Sequence, residues 1–209
     1  MKHLNLANSP IVEQACTLAL GSQKTILTSL FIFLTGISTG VFLQLTMTSD
    51  ENANLAGYLK EYLYSNGVKI DFPNPFFSSV GTNLFLLLII SLCGLSALGF
   101  PLALLTLLYK GMSLGFSVSL IMETMSQDGI PLIFTSLVPQ NLVLIPVFIL
   151  ATSTAVNFAF EFFHSRSGPL KKNLPGRSSS YLLTEVCFAI AIIIGCGIEA
   201  ILYPFVLVP

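Results

Sequence analysis

Hydrophobic residues along the chain are gathered into long blocks in which charge is absent, and the polar residues collect between them. No charge occurs from Thr25 to Ser49, from Phe72 to Tyr109, or from Ile130 to Phe160. A helix crossing a bilayer needs about 20 predominantly apolar residues, so the blocks predict membrane segments over 26–45, 84–108, 111–126, 131–160 and 182–203. The fold class is therefore all-α: a polytopic integral membrane bundle of about five helices in a single domain.

The segment boundaries carry further expectations. Lys110 interrupts the apolar run just before Gly111, so 84–108 and 111–126 read as two segments meeting in a tight turn, with Pro101 kinking the first. Pro139 and Pro146 predict a bent or broken helix over 131–160, because each lacks an N–H and deprives a carbonyl one turn earlier of its donor. In lipid that loss has to be repaired. The amides of Gln140 and Asn141 are the candidate donors, either to those carbonyls or to a neighbouring helix. A polar site or conduit at residues 139–146 is the functional alternative.

Between the first two segments, 48–80 forms a loop with its own pattern. Leu55, Tyr58, Leu59, Tyr62 and Leu63 recur at the spacing of one helical face, and Asn54, Lys60, Glu61 and Ser65 fill the other positions. A short amphipathic helix follows, capped by Ser49 or Asp50 at its start and by Gly67 at its end. Its apolar face suits the lipid surface, the rest of the protein, or a docking partner. The loop over 161–180 mixes Gly, Pro, Ser and basic residues and reads as an irregular connector drawn to anionic lipid.

Composition sharpens this picture. Of 209 residues 54% are hydrophobic and only 9% charged, with mean hydropathy +0.83, which fits lipid as the main solvent. A net charge of −1 offers no basic field for nucleic acid, which is excluded as a partner. Lys and Arg concentrate in short cytoplasmic loops. With five crossings and the 1–24 tail inside, seven of the nine basic residues lie inside, leaving Lys60 and Lys69 outside. A four-crossing topology, in which 111–126 dips and returns, breaks that rule.

Candidate chemistry is sparse. Gly111, Met112, Ser113, Leu114 and Gly115 match G-x-S-x-G, but a nucleophile elbow needs a preceding strand and a partner base, and the histidines are only His3 and His164. Glycines four apart on an apolar helix instead let two backbones approach; Gly36, Gly40, Gly94 and Gly99 belong to the same expectation. Cys16, Cys93, Cys187 and Cys196 are too scattered for a disulfide framework or a zinc site. Glu123 and Glu199 suit an interface with water. No catalytic, cofactor or metal residues are expected, and the chain reads as no enzyme.

The stretches "GFPLALLTLLYKGMSLGFSVSLI" (Gly99 to Ile121) and "LVPQNLVLIPVFIL" (Leu137 to Leu150) are the most distinctive in the chain. With the spacing around them, they make the chain resemble the stage II sporulation protein M family of endospore-forming bacteria. More distant relatives carry a Pro-His-Gly-x-x-Glu-x-Pro version of the second stretch; Gln140, Asn141 and Leu144 replace its His, Gly and Glu here. The resemblance implies a non-enzymatic scaffold in the mother-cell membrane at the sporulation septum. There it would assemble or localise two membrane-anchored peptidoglycan hydrolases, sporulation proteins D and P, for engulfment. Lys110, Gly111, Gly115, Pro139, Gln140, Asn141 and Pro146 form the candidate intramembrane motif, and the Leu55–Leu63 face is the candidate dock. The Gly-rich faces add self-association as a further expectation, and a channel or transporter is the alternative function.

Overall fold

A computed structural model describes residues 22–64, 73–96, 99–125, 129–165 and 174–206. Among them are seven α-helices and one π-helical turn: α1 (Gln23–Leu45), α2 (Ser49–Tyr64), α3 (Pro73–Gly94), α4 (Phe100–Met125), α5 (Gly129–Leu132), the π turn (Ile133–Leu137), α6 (Val138–Ser165) and α7 (Leu174–Val206). Five are long and apolar enough to cross a membrane: α1, α3, α4, α6 and α7. In the α6 window 67% of the residues are buried, against 22% in α1 and in α4, so α6 is the central post and the others surround it. The core joins Ile90, Leu107, Leu144, Phe148, Ala151, Ala155, Tyr181 and Ile192, all buried.

The second and third spans divide at a different place from the one expected. Residues 84–108 and 111–126 do not meet in a turn at Lys110; α4 runs unbroken through Lys110 and Gly111. The chain turns instead between α3 and α4, where Leu95 N–H bonds Leu92 O, Ser96 N–H bonds Cys93 O and Gly99 N–H bonds Ser96 O. A Cβ on Gly99 would collide with the Cys93 carbonyl, so only glycine closes this turn. Pro101 kinks nothing. It stands in the first turn of α4, where its missing N–H has no partner to lose and its fixed φ suits a helix start.

The proline-rich segment also differs in detail. α6 continues through Pro146, and the irregularity lies ahead of Pro139, in the π turn. The wider winding falls where the Pro139 ring would otherwise crowd the preceding turn.

Thr48, instead of Ser49 or Asp50, caps α2. Its Oγ donates to Glu51 Oε2 at 2.8 Å and its N–H to the same oxygen at 3.0 Å, while its carbonyl receives the Asn52 N–H at 3.0 Å. The Glu51 side chain thus supplies half of a capping box, satisfying the Thr48 N–H ahead of the helix, with both bonds donated by Thr48. The expected irregular loop over 161–180 is helical at both ends, since α6 runs to Ser165 and α7 begins at Leu174; its middle, 166–173, lies outside the described residues, as do Gly67 and the tail over residues 1–21.

Candidate functional site: two intramembrane seams and a polar elbow

α4 faces two different neighbours. On one side Gly111 and Gly115 meet Gly36 and Gly40 of α1, which runs parallel to it. A Cβ at Gly40 would strike the Met112 carbonyl, one at Gly36 the Leu108 carbonyl, and one at Gly115 the Ile37 carbonyl. The backbones touch because no side chain intervenes, which in lipid allows dispersion contacts that larger residues prevent. Gly111 and Gly115 thus belong to packing, and Ser113 between them faces outward. Gly94 likewise packs closely, against Tyr181.

On its other side α4 carries Lys110, eleven residues into a helix of 26. Its Nζ donates to Asn83 Oδ1 of α3 at 2.7 Å and lies 5.4 Å from the centre of the Phe148 ring of α6. A mid-membrane ammonium needs such acceptors and the negative face of a ring. Asn83 Nδ2 in turn donates to the Ser79 carbonyl at 2.8 Å and reaches Cys196 Sγ of α7 at 3.7 Å. Gln140 Nε2 donates to Ser79 Oγ at 2.8 Å and also reaches Cys196 Sγ at 3.6 Å. Asn141 Nδ2 donates to the Leu137 carbonyl, the last residue of the π turn, at 2.8 Å.

Lys110 and Gln140, both members of the candidate intramembrane motif, therefore meet in one buried network across α3, α4, α6 and α7. Gln140 bonds a neighbouring helix, one of the two expected tasks, whereas Asn141 donates to the Leu137 carbonyl, which is not one of the carbonyls that Pro139 and Pro146 free. Pro139 and Pro146 hold no partner in this network. Pro139 lies at the start of α6, and Pro146 is exposed on its flank. Asn83, Ser79 and Cys196 were not singled out from the sequence. Asn83 sits one residue outside the apolar run that begins at Leu84, and a single polar residue at such a border gives no signal.

A second polar group ties α2 to the bundle. Gln44, fully buried in the last turn of α1, donates through Nε2 to Glu123 Oε2 of α4 and to Asn52 Oδ1 of α2, the latter at 3.3 Å. Asn52 Nδ2 donates to Glu123 Oε1 at 3.3 Å, and Ser119 Oγ to Gln44 Oε1 at 2.5 Å. Thr48, through its hydroxyl and then its N–H, holds the Glu51 carboxyl below the usual glutamate range.

The predicted docking stripe splits. Leu55 is half-buried beside Asn52 and Ala56, whereas Tyr58 is 71% exposed. The side chains of Leu59, Tyr62 and Leu63 lie outside the described residues.

Deeper in the bundle, Tyr181 stacks on Phe158 with ring centres 4.5 Å apart and donates to the Ser91 carbonyl at 3.0 Å. One turn on, Glu185 is buried beside the Tyr181 hydroxyl. Among the described residues Cys93, Cys187 and Cys196 are free, and no group of three or more His, Cys, Asp or Glu side chains could hold a metal.

Five apolar crossings, a glycine seam and a mid-membrane polar network define a polytopic helical membrane protein. The family model of stage II sporulation protein M matches residues 29–204, most of the chain. The chain belongs to that family, which makes it a sporulation-related membrane protein. No curated protein and no solved structure matches it.

Proposed function

We propose that this protein is a non-enzymatic scaffold of the mother-cell membrane. In this reading it assembles or localises membrane-anchored peptidoglycan hydrolases, sporulation proteins D and P, at the septum for wall remodelling and engulfment. The observation that carries the reading is the state of α2. This helix is fixed at its base by Asn52, which accepts from Gln44 of α1 and donates to Glu123 of α4, yet presents Tyr58 outward. An aromatic body with a polar tip suits a wet protein interface. With Lys110 moved from an inner segment to mid-membrane, six of the nine basic residues remain inside, and the charge rule still puts α2 outside the cell, where wall enzymes act.

Replacing Tyr58 and Tyr62 with serine tests this. Co-purification of both hydrolases is expected to fall at least tenfold, about 1.4 kcal/mol of binding, with the scaffold's own yield unchanged. Recovery at the normal level removes α2 as the dock.

A transport reading takes its support from Lys110 in mid-membrane. Against it, the amides of Asn83 and Gln140 are already spent on protein acceptors, as in a structural clasp. Flux through liposomes holding the purified protein, abolished by Gln140→Leu with Asn141→Leu, would favour transport. Self-association, if it occurs, needs faces other than the four seam glycines, which α1 and α4 occupy within one chain.

A further inference from the structure

We propose that the ring formed by Gln44, Asn52 and Glu123, braced by Ser119, is a positioning element that sets the angle at which α2 leaves the bundle. The inference rests on the reading of α2 as the dock and adds what makes that dock rigid.

The linker between α1 and α2 is only residues 46–48, and it is bonded throughout. Thr46 N–H reaches Phe42 O at 3.1 Å, Met47 N–H reaches Gln44 O at 3.2 Å, and Thr48 is held by Glu51. Such a short connection fixes where α2 begins but leaves its direction to the side chains beside it. Gln44, Asn52 and Glu123 close a ring of hydrogen bonds, and Ser119 braces it at Gln44. Gln44 comes from the end of α1, Asn52 from the first turn of α2, and Glu123 with Ser119 from the end of α4.

Each member has a task that its chemistry suits. Gln44 offers one donor group and one acceptor and uses both: Nε2 toward Asn52 and Glu123, Oε1 toward Ser119. Glu123 accepts with both oxygens, one from each of the other two helices. The charged acceptor makes these the stronger bonds of the ring. Beneath the ring, α1 and α4 cannot slide, because their backbones are in contact at Gly36, Gly40, Gly111 and Gly115. The angle of α2 is thereby referred to a helix pair whose backbones are in direct contact.

Leverage makes the ring matter for docking. Tyr58 stands six residues beyond Asn52, about 9 Å along the helix axis at 1.5 Å per residue. A swing of about 20° at the ring would carry it about 3 Å, enough to spoil a fitted contact.

Spin labels report that angle directly. Gly57 of α2 and Gly81 of α3 are exposed, with open space where a Cβ would stand, so both accept a labelled cysteine. The full chain, with its native cysteines replaced by serine, is labelled at both positions in nanodiscs, and the distance distribution is measured. Glu123→Ala and Asn52→Ala are each expected to at least double its width, with helical content unchanged; Glu123→Gln, which keeps a carbonyl acceptor, is expected to fall between. Glu123 is exposed, so its loss leaves the core intact. Unchanged widths in both alanine variants overturn the proposal, whatever happens to hydrolase capture. Wider distributions with reduced capture support both readings. Wider distributions with full capture leave the ring as the positioning element and remove α2 as the dock.

Discussion

The two sides of α4 solve the same problem by opposite means. Toward α1 it presents glycines and joins by backbone contact alone; toward α3 and α6 it presents Lys110 and joins by hydrogen bonds and a ring face. Lipid tails are as apolar as the helices, so burying a leucine between two spans gains little, and close packing or polar bonds must supply the attraction. The glycine side tolerates nothing added, since the nearest atoms are carbonyls that cannot move without their helix. The lysine side tolerates nothing removed, because its neighbours would keep unmet polar groups in a dry interior.

The largest expected effect breaks the first side. Gly40→Leu should force α1 and α4 apart and cost about 3 kcal/mol or more, the upper range for overpacking a tight core, read as a lower unfolding midpoint in detergent. Gly57→Leu, on an exposed face of α2, should cost none of this. Equal effects at the two positions would show that the seam is not close-packed.

Lys110→Met comes next. It removes the donor to Asn83 Oδ1 and should cost about 1.5–3 kcal/mol, as expected for a hydrogen bond with one charged partner. Lys110→Met together with Asn83→Leu should cost less than the sum of the two single changes, because the second removes the group left unmet by the first. Additive losses would mean the pair is not coupled.

The smallest effect concerns the start of α2 and depends on pH. Thr48 lowers the pKa of Glu51 in the folded chain, so the box contributes stability above the ordinary glutamate value near 4.5 and loses it as pH falls through the lower, folded value. The first turn of α2 should therefore loosen in acid. Amide-exchange protection factors at Thr48 and Asn52 should fall as pH drops through the lowered folded value, and Glu51→Gln should show the reduced protection already at neutral pH.

The same contrast explains what could be read from the residues alone. Five crossings were legible because charge-free blocks leave no other solvent than lipid. The glycines at 36, 40, 111 and 115 were legible as close-contact residues, but a four-residue spacing does not name its partner helix. The turn was misplaced for a physical reason. A lone lysine ordinarily marks the edge of a membrane span, and nothing local announces that Asn83, 27 residues earlier, and Phe148, 38 residues later, meet it in the middle. The true turn had its own markers in Gly99 and Pro101, which the kinked-helix reading assigned to one long span. Gln140 and Asn141 were legible as donors inside the membrane, but neither repairs a carbonyl that the prolines free. Gln44 and Asn52 were not legible, since one polar amide at the edge of an apolar run looks like any other.

If the spans are satisfied within the chain and α2 is the surface offered to wall hydrolases, a photoreactive phenylalanine analogue at position 58 should cross-link to one of them. Illumination of sporulating cells should give a single conjugate at the combined mass of scaffold and hydrolase, and none when the analogue stands at position 142 on the exposed flank of α6. A hydrolase conjugate from position 142 with none from position 58 would contradict the account.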